Sequence, residues 1–288
     1  LKKYCMCDIL YFLDGHATNR FSSIPSLLSK YNGTKYKVYL SSDLVLIRSV
    51  CITPMAFNYD YPKVSLSNRV LRNFDSEKVI RVSFRDENLS DRIMGDEELN
   101  MEYLYDYYRN ILNDGFIRLD RKYFFLATSA SHLRLHCAWF VTPYMTGNTL
   151  IGVDFIRNWI GDFSEINNIG KYVIRQGQPF SSTYFTFDAT ITEEKDYYEN
   201  GYNFTDGIGR ISIDYAEKIV ESMKLKSRPS AFQIRIAGYK GVVSVDPRLK
   251  NNSIKNENFL ISNADLILRE SMKKFKSNHM SLEIVNYS

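Results

Sequence analysis

The strongest constraint on folding in this chain is a change of hydrophobic period at Ser230. Before it, two candidate helices carry apolar residues at 3.6-residue spacing. Leu104, Tyr107, Tyr108 and Ile111 share one face of the first. Asn113-Asp114-Gly115 ends that helix, because glycine accepts the left-handed turn other residues resist. Ala216, Ile219, Val220 and Met223 line the second, which starts after Ser212 and is closed off by Pro229. After Ser230 the period drops to two: Phe232, Ile234 and Ile236 alternate with Gln233, Arg235 and Ala237. Gly238-Tyr239-Lys240-Gly241 reads as a turn, and Val242, Val243 and Val245 return. The pattern predicts a β-hairpin with polar side chains gathered near one end.

Further strands are expected at Val38–Leu40, Leu44–Ile47, residues 78–84, Tyr123–Ala127, Cys137–Val141, Leu266–Leu268 and Leu282–Val285. Helices are expected at Asp154–Ile160 and Glu165–Gln176. The latter would be capped by Ser164, with Ile166, Ile169 and Val173 as its buried stripe. Pro143 and Gly147 mark a loop between them and the strands before. The division is therefore a mixed α/β flanking region, 1–146, followed by a second unit, 147–288.

With 288 residues, 44% hydrophobic and 24% charged, the chain can bury a core, and disorder and fibrous classes are excluded. It has no run of 18 apolar residues, so no membrane span is expected. Four cysteines (Cys5, Cys7, Cys51, Cys137) do not make a disulfide framework. The net charge of +4 is unevenly placed. Residues 1–228 hold 28 Lys/Arg against 28 Asp/Glu, and residues 229–288 hold 9 against 5. A local anionic partner, phosphate or nucleic acid, fits that placement, as does an ordinary solvated surface. The chain starts at Leu1 and stops inside an apolar alternation, so it is expected to be a piece of a longer protein.

The densest candidate chemistry is Arg235, Lys240, Lys273 and Lys274. A tight turn bracketed by glycines can bring Arg235 and Lys240 to one rim. Arginine forks onto two phosphate oxygens, and lysine supplies a point charge. On the residues alone, a phosphate site and a solvated hairpin end both stay open. Gly207-Ile208-Gly209 lacks the third glycine of a dinucleotide loop. His132 and His136 beside Cys137 have a spacing that zinc uses on helices, but no Cys-x-x-Cys accompanies them. Glu97-Glu98 and Glu193-Glu194 are flanked by further charges and read as solvated faces without a catalytic role.

An ordered set of short segments goes further. They are Ser67-Asn68-Arg69-Val70-Leu71-Arg72, Arg81-Val82-Ser83-Phe84, Ser129-Ala130-Ser131-His132-Leu133-Arg134 with Trp139-Phe140, and Ile156-Arg157-Asn158-Trp159 with Gly161-Asp162-Phe163. Then follow Gly177-Gln178-Pro179-Phe180-Ser181-Ser182-Thr183 and Asp206-Gly207-Ile208-Gly209. The last are Pro229–Arg235, Gly238–Gly241 and Ser271–Phe275. In this order, over roughly residues 50–288, the set resembles the cellular (eukaryotic, RNA-silencing type) RNA-dependent RNA polymerase family.

That resemblance implies an α+β fold: a helical flanking region followed by most of the first double-psi β-barrel of a two-barrel polymerase core. It implies an enzyme, an RNA-directed nucleotidyltransferase, that copies single-stranded RNA into double-stranded RNA from nucleoside triphosphates and Mg²⁺. Silencing-pathway proteins are possible partners, and the setting would be intracellular, nuclear or cytoplasmic. Arg235, Lys240 and Lys274 match the cations that the first barrel turns toward nucleotide or RNA phosphates. Lys274 is preferred to Lys273 because it directly precedes the motif's Phe. The metal-holding Asp-x-Asp-Gly-Asp loop of the second barrel does not occur in 1–288. No catalytic residue and no metal ligand is therefore assigned here, and the chain alone is expected not to polymerise. The alternative is a non-catalytic RNA-binding remnant of such an enzyme. His132 stands where the family usually has Gln, and Glu270 where it usually has Pro.

Overall fold

The computed structural model describes residues 40–88, 101–118, 121–249 and 264–288. The expectations that rest on Val38, Tyr39, Cys5, Cys7, Glu97 and Glu98 lie outside the described residues.

The first half builds a six-stranded sheet from β1 (Leu44–Ile52), β2 (Phe57–Leu66), β3 (Val79–Phe84), β4 (Phe116–Arg118), β5 (Arg121–Ala127) and β6 (Cys137–Val141). Their order is β2-β1-β3-β6-β5-β4. β1 and β3 run parallel; the other neighbours are antiparallel. Between the strands lie α1 (Arg69–Asn73), α2 (Met101–Asp114) and α3 (Ala130–Arg134). Alternation gives each strand two faces. On one, Val50, Ile52, Ile80, Val82 and Phe140 pack against Leu104, Tyr108 and Ile111 of α2. On the other, Val79, Trp139 and Val141 join Val70 and Leu71 of α1 in a second core. Gly115, at φ +78, ends α2 as expected, and it also lets Tyr123 approach too closely for a side chain.

The expected loop at Pro143 and Gly147 is a small hairpin, β7 (Tyr144–Thr146) and β8 (Thr149–Ile151), with Gly147 in its turn. α4 (Val153–Ile160) follows, and Ile156 and Ile160 enter the second core. The next helix, α5 (Ile169–Gln176), begins four residues later than the spacing predicts. Asn168, not Ser164, caps it, accepting from the Lys171 N–H at 2.9 Å. The Ser164 N–H instead donates to Asp162 at 2.9 Å, which bends the chain before any helix forms. Ile169 is consequently 81% exposed and leaves the predicted stripe, while Ile166 keeps its core contact.

The second sheet has seven strands. They are β9 (Tyr184–Asp188), β10 (Ile191–Glu194), β13 (Ile208–Ser212), β14 (Ala231–Ile236), β15 (Tyr239–Asp246), β16 (Leu266–Arg269) and β17 (Ser281–Tyr287). The order is β10-β16-β13-β15-β14-β17-β9. β11 (Tyr198–Glu199) and β12 (Tyr202–Asn203) pair outside it. α6 (Ile213–Met223), capped by Ser212, lays Tyr215, Ala216 and Ile219 onto Ile211, Phe232, Ile234, Val243, Leu266, Leu268, Leu282 and Ile284. α6 ends on Lys224 in the left-handed region, five residues before Pro229. The fold is mixed α+β, and no helix among the described residues is long and apolar enough to cross a membrane.

Candidate functional site

The hairpin of β14 and β15 turns on two residues, not four. Ile236 pairs with Tyr239, and Ala237 and Gly238 between them sit at φ +43 and +83. Positive φ at both central positions is the twist that tight hairpins favour. Gly241 belongs to the strand. This register sets Arg235 directly opposite Lys240. Their Cβ atoms are therefore about 4.5–5.5 Å apart on the same face.

A third strand-like segment closes on the turn. Tyr239 and Lys273 form an isolated bridge, and the Lys274 N–H donates to the Gly238 carbonyl at 3.0 Å. The Lys274 ammonium donates back to the Ser271 carbonyl. Lys276 bridges to Asp162, and Phe275 stacks on Phe163 at 4.5 Å. Gly161 leaves room for that stack, since a Cβ there would lie 2.9 Å from the Phe275 ring. Lys273 goes elsewhere: its ammonium lies over the Tyr239 ring at 5.4 Å and pairs with Glu193 at 3.1 Å.

Electrostatics ties the remaining cations together. The Lys240 ammonium is held below its ordinary pKa, first by partial burial, then by Arg235, Lys274 and Arg175. Lys274 is lowered first by burial and then by Arg175 and Lys171, against the opposing pull of Asp206 and Asp196. Arg235 is lowered by burial and by Arg69, while Glu283 favours its charge. Cations that depress one another are relieved by an anion. Arg175, on the last turn of α5, is the member that spacing did not reveal. Its signal was the adjoining Gly177-Gln178. Gly177 lets Thr128 approach too closely for a side chain, and Gln178 donates to the Tyr239 carbonyl at 3.4 Å.

Arg235 differs from the expectation of a rim residue. It is 9% exposed, donates to the Ile234 carbonyl at 2.8 Å, and its Nε has no partner. It lies across β14 and β17 from Glu283, itself 2% exposed. Glu283 accepts from Arg69 at 3.1 and 2.7 Å and from Arg72, which also reaches the Thr183 carbonyl and hydroxyl at 2.8 Å. Three guanidinium groups thus surround one buried carboxylate, beneath the more exposed Lys240.

The other candidates resolve into packing. Gly207-Ile208-Gly209 opens a strand, not a helix. A Cβ on Gly209 would lie 2.6 Å from the Ile267 carbonyl, and one on Gly241 2.8 Å from the Met272 methyl. Glu193 is bonded to Tyr239 and Lys273. Glu194 pairs with Arg210 at 2.6 Å and Arg269 at 2.9 Å, so these faces are ion-paired as well as solvated. Among the described residues, no group of three His, Cys, Asp or Glu could hold a metal ion.

His132 packs edge-on to Trp139 with ring centroids 5.9 Å apart. Burial, and then Arg81, lowers its pKa to about 4. Folding therefore favours the neutral ring. Its contribution to stability is complete above the ordinary histidine pKa of about 6.5 and is lost as pH falls toward 4. The melting temperature is expected to fall over that window in the native chain and to fall less in His132→Gln. Parallel profiles for the two would remove His132 from this role.

A family model described as RNA dependent RNA polymerase matches residues 52–288. RNA-dependent RNA polymerase 1 of Arabidopsis thaliana is 38% identical over 266 residues, covering 87% of this chain and 22% of that protein. RNA-dependent RNA polymerase 1 of Schizosaccharomyces pombe is 34% identical over 257 residues, covering 86% and 20%. Among solved structures, the RNA dependent RNA polymerase QDE-1 from Thielavia terrestris superposes with a TM-score of 0.70 at 17% identity. That match covers 92% of this chain and 30% of the other. The chain thus spans about a fifth of the length of these curated relatives.

Proposed function

The chain belongs to the RNA-dependent RNA polymerase family, and on that premise we propose that it is the N-terminal part of a catalytic core that copies single-stranded RNA into duplex RNA for RNA silencing. Residues 1–146 are the flanking region, and 147–288 are the linking helices and most of a first double-psi β-barrel. The second sheet is the body of that barrel. The substrates are nucleoside triphosphates and an RNA template, and the setting is intracellular.

In this reading Arg235, Lys240 and Lys274 hold the phosphates of a nucleotide or of RNA. The observation that carries it is the register that sets Arg235 opposite Lys240, with Lys274 tied by its backbone to the turn between them. Phosphoryl transfer depends mainly on positioning and charge neutralisation, and fixed cations supply both. Lys240 and Lys274 contribute point charges. Arg235 adds charge from below, bonded to the Ile234 carbonyl and facing the Glu283 carboxylate across the β14–β17 register. Magnesium would stabilise the attacking and leaving oxygens. Its ligands are not among the described residues, so these cations bind and orient phosphate without performing the chemical step.

Binding of single-stranded RNA should weaken with salt. Three phosphate contacts give a slope of log affinity against log salt of about −2, and Lys240→Ala should make it shallower by roughly 0.7. Fluorescence anisotropy with a labelled oligonucleotide at several salt concentrations measures both. An unchanged slope would take Lys240 out of the site.

A further inference from the structure

α5 brings two more cations to the hairpin, and contacts at both of its ends hold it there. Lys171 and Arg175 are four residues apart, so they share one face of the helix, about 6 Å apart along its axis. Beside Lys171, the Tyr172 ring packs edge-on to Phe163 at 6.0 Å, and Phe163 stacks on Phe275, the residue after Lys274. Just past Arg175, Gln178 donates to the carbonyl of Tyr239, the residue before Lys240. The helix is thus fastened at one end to the segment of Lys274 and at the other to the strand of Lys240. The electrostatics agree with that placement. Lys171 and Arg175 both act on Lys274, and Arg175 also acts on Lys240.

These cations differ from the basic residues around them. Arg269 pairs with Glu194 at 2.9 Å, Lys273 with Glu193 at 3.1 Å, and Lys276 with Glu165 at 2.5 Å. Among the described residues, no carboxylate forms an ion pair with Lys171, Arg175, Lys240 or Lys274. Asp196 and Asp206 act on Lys274 from a distance. Asp196 already accepts from the Ser271 N–H and hydroxyl at 2.8 and 2.7 Å and from the Thr205 hydroxyl at 3.0 Å. That leaves Asp206 to answer four cations. The carbonyls at the end of α5 favour Arg175, but they do nothing for the three lysines. Like charges drawn together by the fold depress one another, and an anion between them removes that cost.

The array is extended. Arg175 acts on both Lys240 and Lys274, whereas Lys171 is among the groups acting on Lys274 and not among those acting on Lys240. Phosphates joined by a single oxygen crowd together. Successive phosphates of a strand are separated by a sugar and spread further, as these cations do.

Resting on the reading that Lys240 and Lys274 hold phosphate, we propose that Lys171 and Arg175 hold the next phosphates of the same RNA strand. α5 and the hairpin then form one track for a single-stranded backbone.

The salt dependence of binding tests this on the full chain, by fluorescence anisotropy with a labelled single-stranded RNA. The hairpin cations account for a slope of about −2, and two further contacts deepen it by roughly 1.4. Lys171→Ala combined with Arg175→Gln should remove that addition. Arg175→Lys should keep the native slope, because the charge stays. Lys218→Ala should also leave it unchanged, since Lys218 is exposed on α6, which covers the opposite face of the sheet from Lys240. ATP, titrated as a competitor, should weaken far less than RNA in the double variant. A native slope in the double variant, with Lys240→Ala still making it shallower, overturns the proposal and leaves the hairpin site standing. A slope that neither variant changes removes both. Equal weakening of ATP and RNA also overturns the proposal, because α5 would then serve a triphosphate. If the double variant does not fold, Lys171→Ala alone, at an exposed position, should make the slope shallower by roughly 0.7, and no change there overturns it.

Discussion

Replacing Glu283 by Gln is expected to cost the fold about 3–5 kcal/mol, the usual penalty for breaking a buried ion pair by removing one partner. The side chain is 2% exposed. It accepts two hydrogen bonds from Arg69 and one from Arg72, and it lies directly across the sheet from Arg235. Among the described residues no other carboxylate pairs with Arg69 or Arg72. The neutral amide keeps the shape and removes the charge, which leaves three guanidinium groups facing one another out of water. The contact also joins α1 to β17, more than 200 residues along the chain, so the loss falls on the seam between the two sheets. Urea unfolding at pH 7 measures the cost. Adding Arg69→Met to Glu283→Gln should recover part of it, because one stranded cation goes with the arginine. A cost below about 1 kcal/mol, or a double variant worse than the single by the full cost of Arg69→Met alone, would mean that the carboxylate is not the counter-ion.

The hairpin was legible because burying one face of a strand demands period two, and Phe232, Ile234 and Ile236 keep that period without a break. Its register was not legible. Gly238 and Gly241 look alike as turn formers, yet only Gly238 turns the chain. Gly241 is small because Gly207 and Met272 approach it, a demand set by strands distant in sequence. The same limit hid Arg175, whose place near Lys240 depends on Gly177 packing against Thr128. It also hid Glu283. Its partners Arg69 and Arg72 lie in the Ser67–Arg72 segment, but nothing local connects them to β17. Ile169 failed for a local reason: Asn168 outcompetes Ser164 as the cap, and the helix begins too late to turn Ile169 inward. Arg235, Lys240, Lys273 and Lys274 stood out as a cation cluster from residue chemistry, and the family resemblance set Lys274 above Lys273. Local sequence ranks the two lysines equally, because the pairing of Lys273 with Glu193 joins segments 80 residues apart.

Gly238→Ala is expected to destabilise the chain by about 2–5 kcal/mol through two separable effects. A left-handed conformation costs an L-residue roughly 1–2 kcal/mol, and Gly238 sits at φ +83. The new methyl would also press on the Phe275 backbone carbonyl, which cannot rotate away as a side-chain tip can. Overpacking of that kind adds roughly 1–3 kcal/mol. Gly201→Ala isolates the first effect, because Gly201 lies at φ +76 with no atom near its missing Cβ. The difference between the two variants in urea unfolding is then the cost of forcing the 273–276 segment off the turn. That segment carries Lys274, whose N–H is bonded to Gly238 itself. RNA affinity should therefore fall in Gly238→Ala at least as far as in Lys274→Ala, while Gly201→Ala binds as the native chain does. If Gly238→Ala proves no less stable than Gly201→Ala, the segment is not seated against the turn, and the cation cluster loses the backbone link that assembles it.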